Sequence, residues 1–173
     1  KSLGIALPPE DRELVLQRIV DLGDKKHTVV AEDLPYIIAD VLKTPQEQLV
    51  RVHHYRVAVA TGDAPHAEVT LTYKKRSASA EALGDGGYDA FMTALRKAAK
   101  KLGLEVALLT DFRVRIPPGG RTTALVETVI AWRREARPRD TFSTLGVDSD
   151  QLAAAVIATE KMLNALAARR QDA

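Results

Sequence analysis

The sequence predicts an α+β protein in which two copies of a βββα unit follow a small helical subdomain. Antiparallel strands packed on helices make each unit. Three observations carry this. Apolar spacing is helical over residues 1–43, then turns to strand-like alternation from Glu47 onward. The order of two long strands, a short strand, a glycine loop and a helix then occurs twice. The two copies also align: Tyr55-Arg56-Val57 with Phe112-Arg113-Val114 (112 − 55 = 57), and Gly62 with Gly119 at the same offset. Glu68 matches Glu127 (127 − 68 = 59), and Leu83-Gly84 matches Leu145-Gly146 (145 − 83 = 62). Offsets that grow only at turns are what a duplicated unit produces. The chain therefore divides into a helical subdomain, 1–45, and a duplicated domain, 46–173.

The elements follow in order. Pro8 and Pro9 before Glu10 and Asp11 start a helix, because proline suits the first turn and acids complement the dipole. Leu14, Leu16, Ile19, Val20 and Leu22 form its apolar stripe, and Gly23 ends it. After the polar turn Asp24–His27 a second helix is expected from about Ala31 to Leu42, with Pro35 near its start. Two such helices cannot bury both apolar faces alone, so they should pack on something else. Residues 49–59 and Ala67–Tyr73 are strands joined by the turn Thr61–Pro65. Lys74–Ser77 is the next turn and Ser79–Leu83 a third short strand, before a helix from about Gly86 to Leu102. The second copy places strands at Val106–Ile116, Ala124–Trp132 and Thr141–Leu145, with turns at Pro117–Gly120 and Arg133–Asp140. Its helix carries Leu152, Val156, Leu163 and Leu166 on one side, with Ala155 and Thr159 between, and Asp148 and Gln151 stand as N-cap and N3.

The 173 residues, 46% of them hydrophobic, can build a real core. A net charge of +2, from 25 basic and 23 acidic residues, gives no reason to expect a nucleic-acid partner. With no cysteine there is neither a disulfide framework nor a thiolate site. No apolar run approaches the roughly 18 residues of a membrane span, and no signal-peptide pattern opens the chain, so the expectation is a cytoplasmic protein without a membrane partner. Beginning at Lys1, it reads as a processed chain or a piece cut from a longer one.

Leu83–Leu95, LGDGGYDAFMTAL, is the segment with most chemistry in it. Gly84, Gly86 and Gly87 bracket Asp85, and Tyr88, Phe91, Met92, Leu95, Ala99 and Leu102 follow at helical spacing. Asp85 suits an N-cap, Asp89 the first turn, and Lys97, Lys100 and Lys101 the end before Gly103. Such a start leaves backbone N–H groups uncovered for an anion. The plainer alternative is a tight strand-to-helix turn. Neither a Walker lysine nor GxGxxG is present, which argues against a nucleotide.

Other candidates are weaker. Adjacent His53 and His54 on a strand point to opposite faces and cannot converge on one ion. No nucleophile elbow is visible. Lys75-Arg76 and Arg133-Arg134 with Arg137 and Arg139 fall in turns interspersed with Glu135 and Asp140, as solvated turns do.

Several motifs resemble the regulatory domain, also called the LeuA dimerisation or allosteric domain, that follows a TIM barrel in 2-isopropylmalate and citramalate synthases. Gly84–Ala90 resembles the family's G-N/D-G-P-V-D-A, and Leu109–Val114 its L-x-D-Y-x-V strand. Thr123-Ala124 with Glu127 resembles D-A-x-G-E-V, Leu145–Asp150 resembles G-x-G-V-S-T-D, and Leu163–Leu166 holds the closing N-A-L. Leu3-Gly4, Asp21–Lys26 and Glu32–Leu34 resemble the linker pattern. The likeness covers nearly the whole chain.

That resemblance implies a homodimer that binds an end-product amino acid, leucine or isoleucine, and regulates a catalytic barrel lying outside this chain. The family's metal motif is missing, so no cofactor and no condensation chemistry are expected of the chain alone. Matching positions put the effector against Gly84, Gly86, Tyr88 and Asp89, with Phe112, Ile116 and Ala124 from later strands, and Asp85 available to its ammonium. Gly87 replaces the usual proline, Tyr88 a valine, Thr123 an aspartate, Val126 a glycine and Leu145 an arginine. Tyr88 narrows such a pocket. The alternative is a dimerisation module that has lost its effector.

Overall fold

A computed structural model describes residues 6–24, 29–44, 48–116 and 124–171. Helix α1 (Pro9–Asp24), a 3₁₀ turn (Ala31–Asp33) and helix α2 (Leu34–Leu42) precede two antiparallel three-stranded sheets. The first sheet is β1 (Val50–Ala58), β2 (His66–Tyr73) and β3 (Arg76–Leu83), followed by helix α3 (Gly87–Leu102). The second is β4 (Leu108–Arg115), β5 (Val126–Arg133) and β6 (Thr141–Asp148), followed by helix α4 (Gln151–Gln171). The α+β class and the duplicated unit are therefore observed. The predicted turn at Pro117–Gly120 lies outside the described residues.

Register sharpens the repeat. Each first strand carries a bulge, between Val52 and His54 in β1 and between Leu109 and Asp111 in β4, an offset of 109 − 52 = 57. Tyr55 faces Val69, and its equivalent Phe112 faces Ile130, which sets the second strands at 130 − 69 = 61. Val69 faces Ala80 and Ile130 faces Thr144, so the third strands lie at 144 − 80 = 64. The helices start at the same offset, 151 − 87 = 64. The expected pairings of Glu68 with Glu127 and of Leu83 with Leu145 are thus each two residues out of register.

Both third strands are longer than predicted. Only Lys74 and Lys75 make the β2–β3 turn, with Lys74 at φ 55, and Arg76 already pairs with Tyr73. Gly146 is a strand residue rather than part of a loop. A Cβ there would lie 2.0 Å from the Ala154 carbonyl oxygen, so the glycine is what allows α4 to lie directly on β6. α1 continues through Gly23 to Asp24, and its inward face is Val15, Ile19 and Leu22; Leu14, Leu16 and Val20 are exposed. The i, i+4, i+7 spacing of the first set is the one that meets a neighbour.

Two cores result. Ala90, Phe91, Leu95 and Ala98 of α3 pack on Val69 and Leu71 and join Trp132, Met162 and Leu163 in the larger one. In the smaller, Val15, Leu22 and Ile37 cover Leu125, Leu145 and Val147 on the outer face of the second sheet. The N-terminal helices thus bury their apolar faces on that sheet. Gly146→Ala should cost about 2–3 kcal/mol by chemical denaturation, since the added methyl meets helix backbone that cannot yield. Gly23→Ala, which meets nothing within 4 Å, should be neutral or raise stability by up to about 1 kcal/mol.

Candidate functional site

Each unit ends by turning from its third strand into its helix, and the two helix starts share one groove. It measures about 540 Å³, within the ~300–1,000 Å³ usual for small-ligand sites. Val57 and Val59 from the end of β1, Gly87 and Tyr88 from α3, Phe112 from β4, and Asp150, Gln151, Leu152 and Ala155 from α4 line it.

The two helix starts differ. Gly86 is the N-cap of α3, in extended conformation and without a side-chain capping bond. The first N–H to find an intrahelical carbonyl is that of Ala90, on Gly86 at 2.9 Å, which leaves the Gly87, Tyr88 and Asp89 amides of the first turn without an intrahelical acceptor. At the equivalent place (150 − 86 = 64) α4 has an aspartate. Asp150 Oδ1 accepts from the Ala153 amide at 2.8 Å, so it, and not Asp148, is the N-cap. The groove's lining therefore combines the helix start at Gly87 and Tyr88 with the Asp150 carboxylate and with aliphatic and aromatic side chains.

Tyr88 shapes the floor. Its ring stacks on Phe91 at 5.9 Å and meets Phe112 at 5.2 Å. Its hydroxyl lies 2.7 Å from the Thr159 hydroxyl, which itself donates to the Ala155 carbonyl, so the phenol is the donor to Thr159. Burial is the main cause that holds the phenol well above the ordinary range, against the smaller opposing charge of Arg96. Tyr55 is also raised, by burial first and then by the charges of Asp150 and Asp148.

Of the residues singled out in the sequence, Tyr88 and Phe112 meet in the groove. Gly84, Asp85 and Asp89 form the turn beneath it: the Asp89 carboxylate accepts from the Asp85 amide at 3.0 Å, so Asp85 is not the cap. A Cβ on Gly84 would lie 2.3 Å from the Ala90 nitrogen, which makes it a close-packing glycine. Ile116 is exposed at the end of β4, and Ala124 is buried ahead of β5. Asp150, Gln151, Leu152 and the valines of β1 were not foreseen. The N-cap pairing of Gly86 with Asp150 is the signal that correct register would have supplied. Among the described residues no group of three His, Asp or Glu side chains can hold a metal ion. Arg134 is taken up by Glu105 at 2.6 Å and Asp140 at 3.4 Å, and no described helix is long and apolar enough to cross a membrane.

Residues 28–167 match the model of the LeuA allosteric (dimerisation) domain. The chain belongs to this family. It is 32% identical, over 99% of its length, to a probable 2-isopropylmalate synthase of Methanopyrus kandleri, covering 34% of that protein. It is 27% identical over 96% of its length to a putative (R)-citramalate synthase of Methanosarcina mazei, covering 33%. A 2-isopropylmalate synthase of Aquifex aeolicus is 29% identical over 99% of the chain, which covers 32% of it. The LeuA-family chain thus spans about a third of the length of these relatives.

The raised phenols give a pH signature. A group whose folded pKa lies above its unfolded value contributes stability below the unfolded value and loses it as pH rises toward the folded one. Stability should therefore fall as pH rises above the ordinary phenol value of 10.0. Tyrosinate absorbance should show Tyr88 ionising only on unfolding, and Tyr88→Phe should lessen the alkaline loss at a cost of about 1 kcal/mol at neutral pH.

Proposed function

We propose that this LeuA-family chain is the effector-binding and dimerisation domain of a 2-isopropylmalate or citramalate synthase-type enzyme, and that it binds a branched-chain amino acid in the groove between its two helix starts. The observation that carries this is that the α3 start at Gly87, which has no side-chain cap, and the Asp150 carboxylate line one groove together with apolar side chains. The amides of that start suit the carboxylate of an amino acid, Asp150 its ammonium, and Val57, Leu152 and Ala155 an aliphatic branch. Leucine and isoleucine are the ligands this favours. A homodimer is the proposed assembly, and the regulated partner is a catalytic barrel in the longer protein. Binding acts by population shift: the effector favours whichever subunit arrangement it binds more tightly.

A second reading, a dimerisation module without an effector, is favoured by one observation. Tyr88, held by Thr159 and stacked on Phe91, takes up part of the groove. Calorimetric titration with leucine, isoleucine and valine separates the two, alongside light scattering for the oligomer. Saturable binding of one or more is expected, weakened about tenfold or more in Asp150→Asn through loss of a charged contact. A folded dimer that ignores all three amino acids would leave only the structural module.

A further inference from the structure

The groove is joined to the N-terminal helices by a path that starts at the Asp150 backbone amide and continues through charged side chains. Asp150, at the groove, donates its amide to Asp148 Oδ1 at 3.2 Å. Asp148 Oδ2 stands 3.5 Å from an Arg18 nitrogen, and that same nitrogen donates to the Val147 carbonyl. Arg18 Nε donates to Asp40 Oδ2 at 3.3 Å. Asp40 then receives Lys161 of α4 twice, through Oδ1 at 2.6 Å and its backbone oxygen at 2.7 Å. Asp148, Asp40 and Lys161 are 2%, 4% and 5% exposed.

The path begins and ends on α4, at positions 161 − 150 = 11 residues apart, about 16 Å of helix. A small tilt of α4 displaces both ends together. The apolar contacts of α1 and α2 with the second sheet are non-directional and tolerate such a movement. Buried ion pairs do not, because their attraction repays desolvation only at good geometry.

We propose that Asp148, Arg18, Asp40 and Lys161 form a ligand-sensitive joint, through which repositioning of Asp150 at the groove changes how firmly α1 and α2 are held. As a device for effector response it rests on the function proposed above; the coupling itself is a property of the unliganded chain.

Hydrogen exchange of α1 and α2 amides, read relative to those of β2, tests it in the whole chain. Four proteins are compared: wild type, Asp150→Ala, Arg18→Met and the double variant. Asp150→Ala should speed α1–α2 exchange about fivefold or more in the wild-type background and add little once Arg18 is gone. Asp89→Ala, at the other helix start, should leave α1–α2 unchanged. Should Arg18→Met not fold, Arg18→Gln serves in its place. Independent, multiplicative effects, or no effect of Asp150→Ala, overturn the joint. With leucine present, altered α1–α2 exchange in wild type but not in Arg18→Met, both binding by calorimetry, supports it; binding that leaves wild-type exchange unchanged overturns its effector role. Failure of every amino acid to bind rejects the effector reading, while the ligand-free comparison still decides the joint.

Discussion

Helix α4 carries Glu160, Lys161 and Asn164 into the interior, and the need to give each a partner fixes how the layers meet. Buried polar groups persist only when hydrogen-bonded, and here the partners lie in two directions. Asn164 accepts from the Val50 amide at 2.9 Å and donates to its carbonyl at 2.8 Å, so its side chain stands in for a neighbouring strand on the edge of β1. Glu160 accepts from the Val52 amide at 2.7 Å. Lys161 turns the other way, to Asp40 on α2. The second unit's helix thereby holds both the first unit's edge strand and the N-terminal helices. Burial still acts on these groups, raising the Glu160 carboxyl and lowering the Lys161 amine, in each case against the pull of its partner.

A docking of the same kind recurs on the other side of the molecule with different chemistry. Arg96, the α3 counterpart of Glu160 (160 − 64 = 96), donates to the carbonyl of Ala107 at 3.1 Å. Ala107 is the counterpart of Val50 (107 − 57 = 50), which Asn164 rather than Glu160 holds on the other side. The contact thus recurs between equivalent elements but not residue for residue. Each helix therefore hydrogen-bonds the start of the other unit's first strand. Neither unit can be removed without leaving edge groups of its partner unsatisfied, and the phenol of Tyr88 against Thr159 adds a third contact across the same seam. Duplication here yields one fold rather than two tandem ones.

What could be read from the sequence follows from which signals are local. Strand alternation, proline and glycine turns and the repeat order are local, and all gave the α+β arrangement. Register is not local: Leu83-Gly84 and Leu145-Gly146 are alike in composition, yet Gly146 is a strand glycine facing α4 and Gly84 packs under α3. The same shift misassigned the cap of α4 to Asp148, whose buried carboxylate instead meets Arg18. The apolar spacing of α4 places Leu152, Val156, Leu163 and Leu166 on one side and says nothing of what covers the rest. The helix is covered nearly all round, by the second sheet, by β1 and by the N-terminal helices, a situation periodicity cannot reveal. In α1 two apolar sets compete, and only contact with the second sheet selects Val15, Ile19 and Leu22.

The groove depends on the duplication having diverged. Two equivalent helix starts bring two like partial charges to one place, and an undifferentiated pair would favour an anion with no provision for a cation. Gly86 keeps one start open, whereas Asp150 covers the other with a carboxylate. The difference between Gly86 and Asp150 makes the junction dipolar rather than doubly positive, a charge arrangement that a zwitterion matches. The Gly84–Ala90 motif lies in a single loop, whereas the groove is lined from both copies. Gly84, Asp85 and Asp89 set the angle at which α3 leaves the sheet, but the Asp150 carboxylate comes from the other copy. A site of this kind exists only where both copies meet, and α4, which Asn164 and Lys161 tie to both sides, is the element that brings them together.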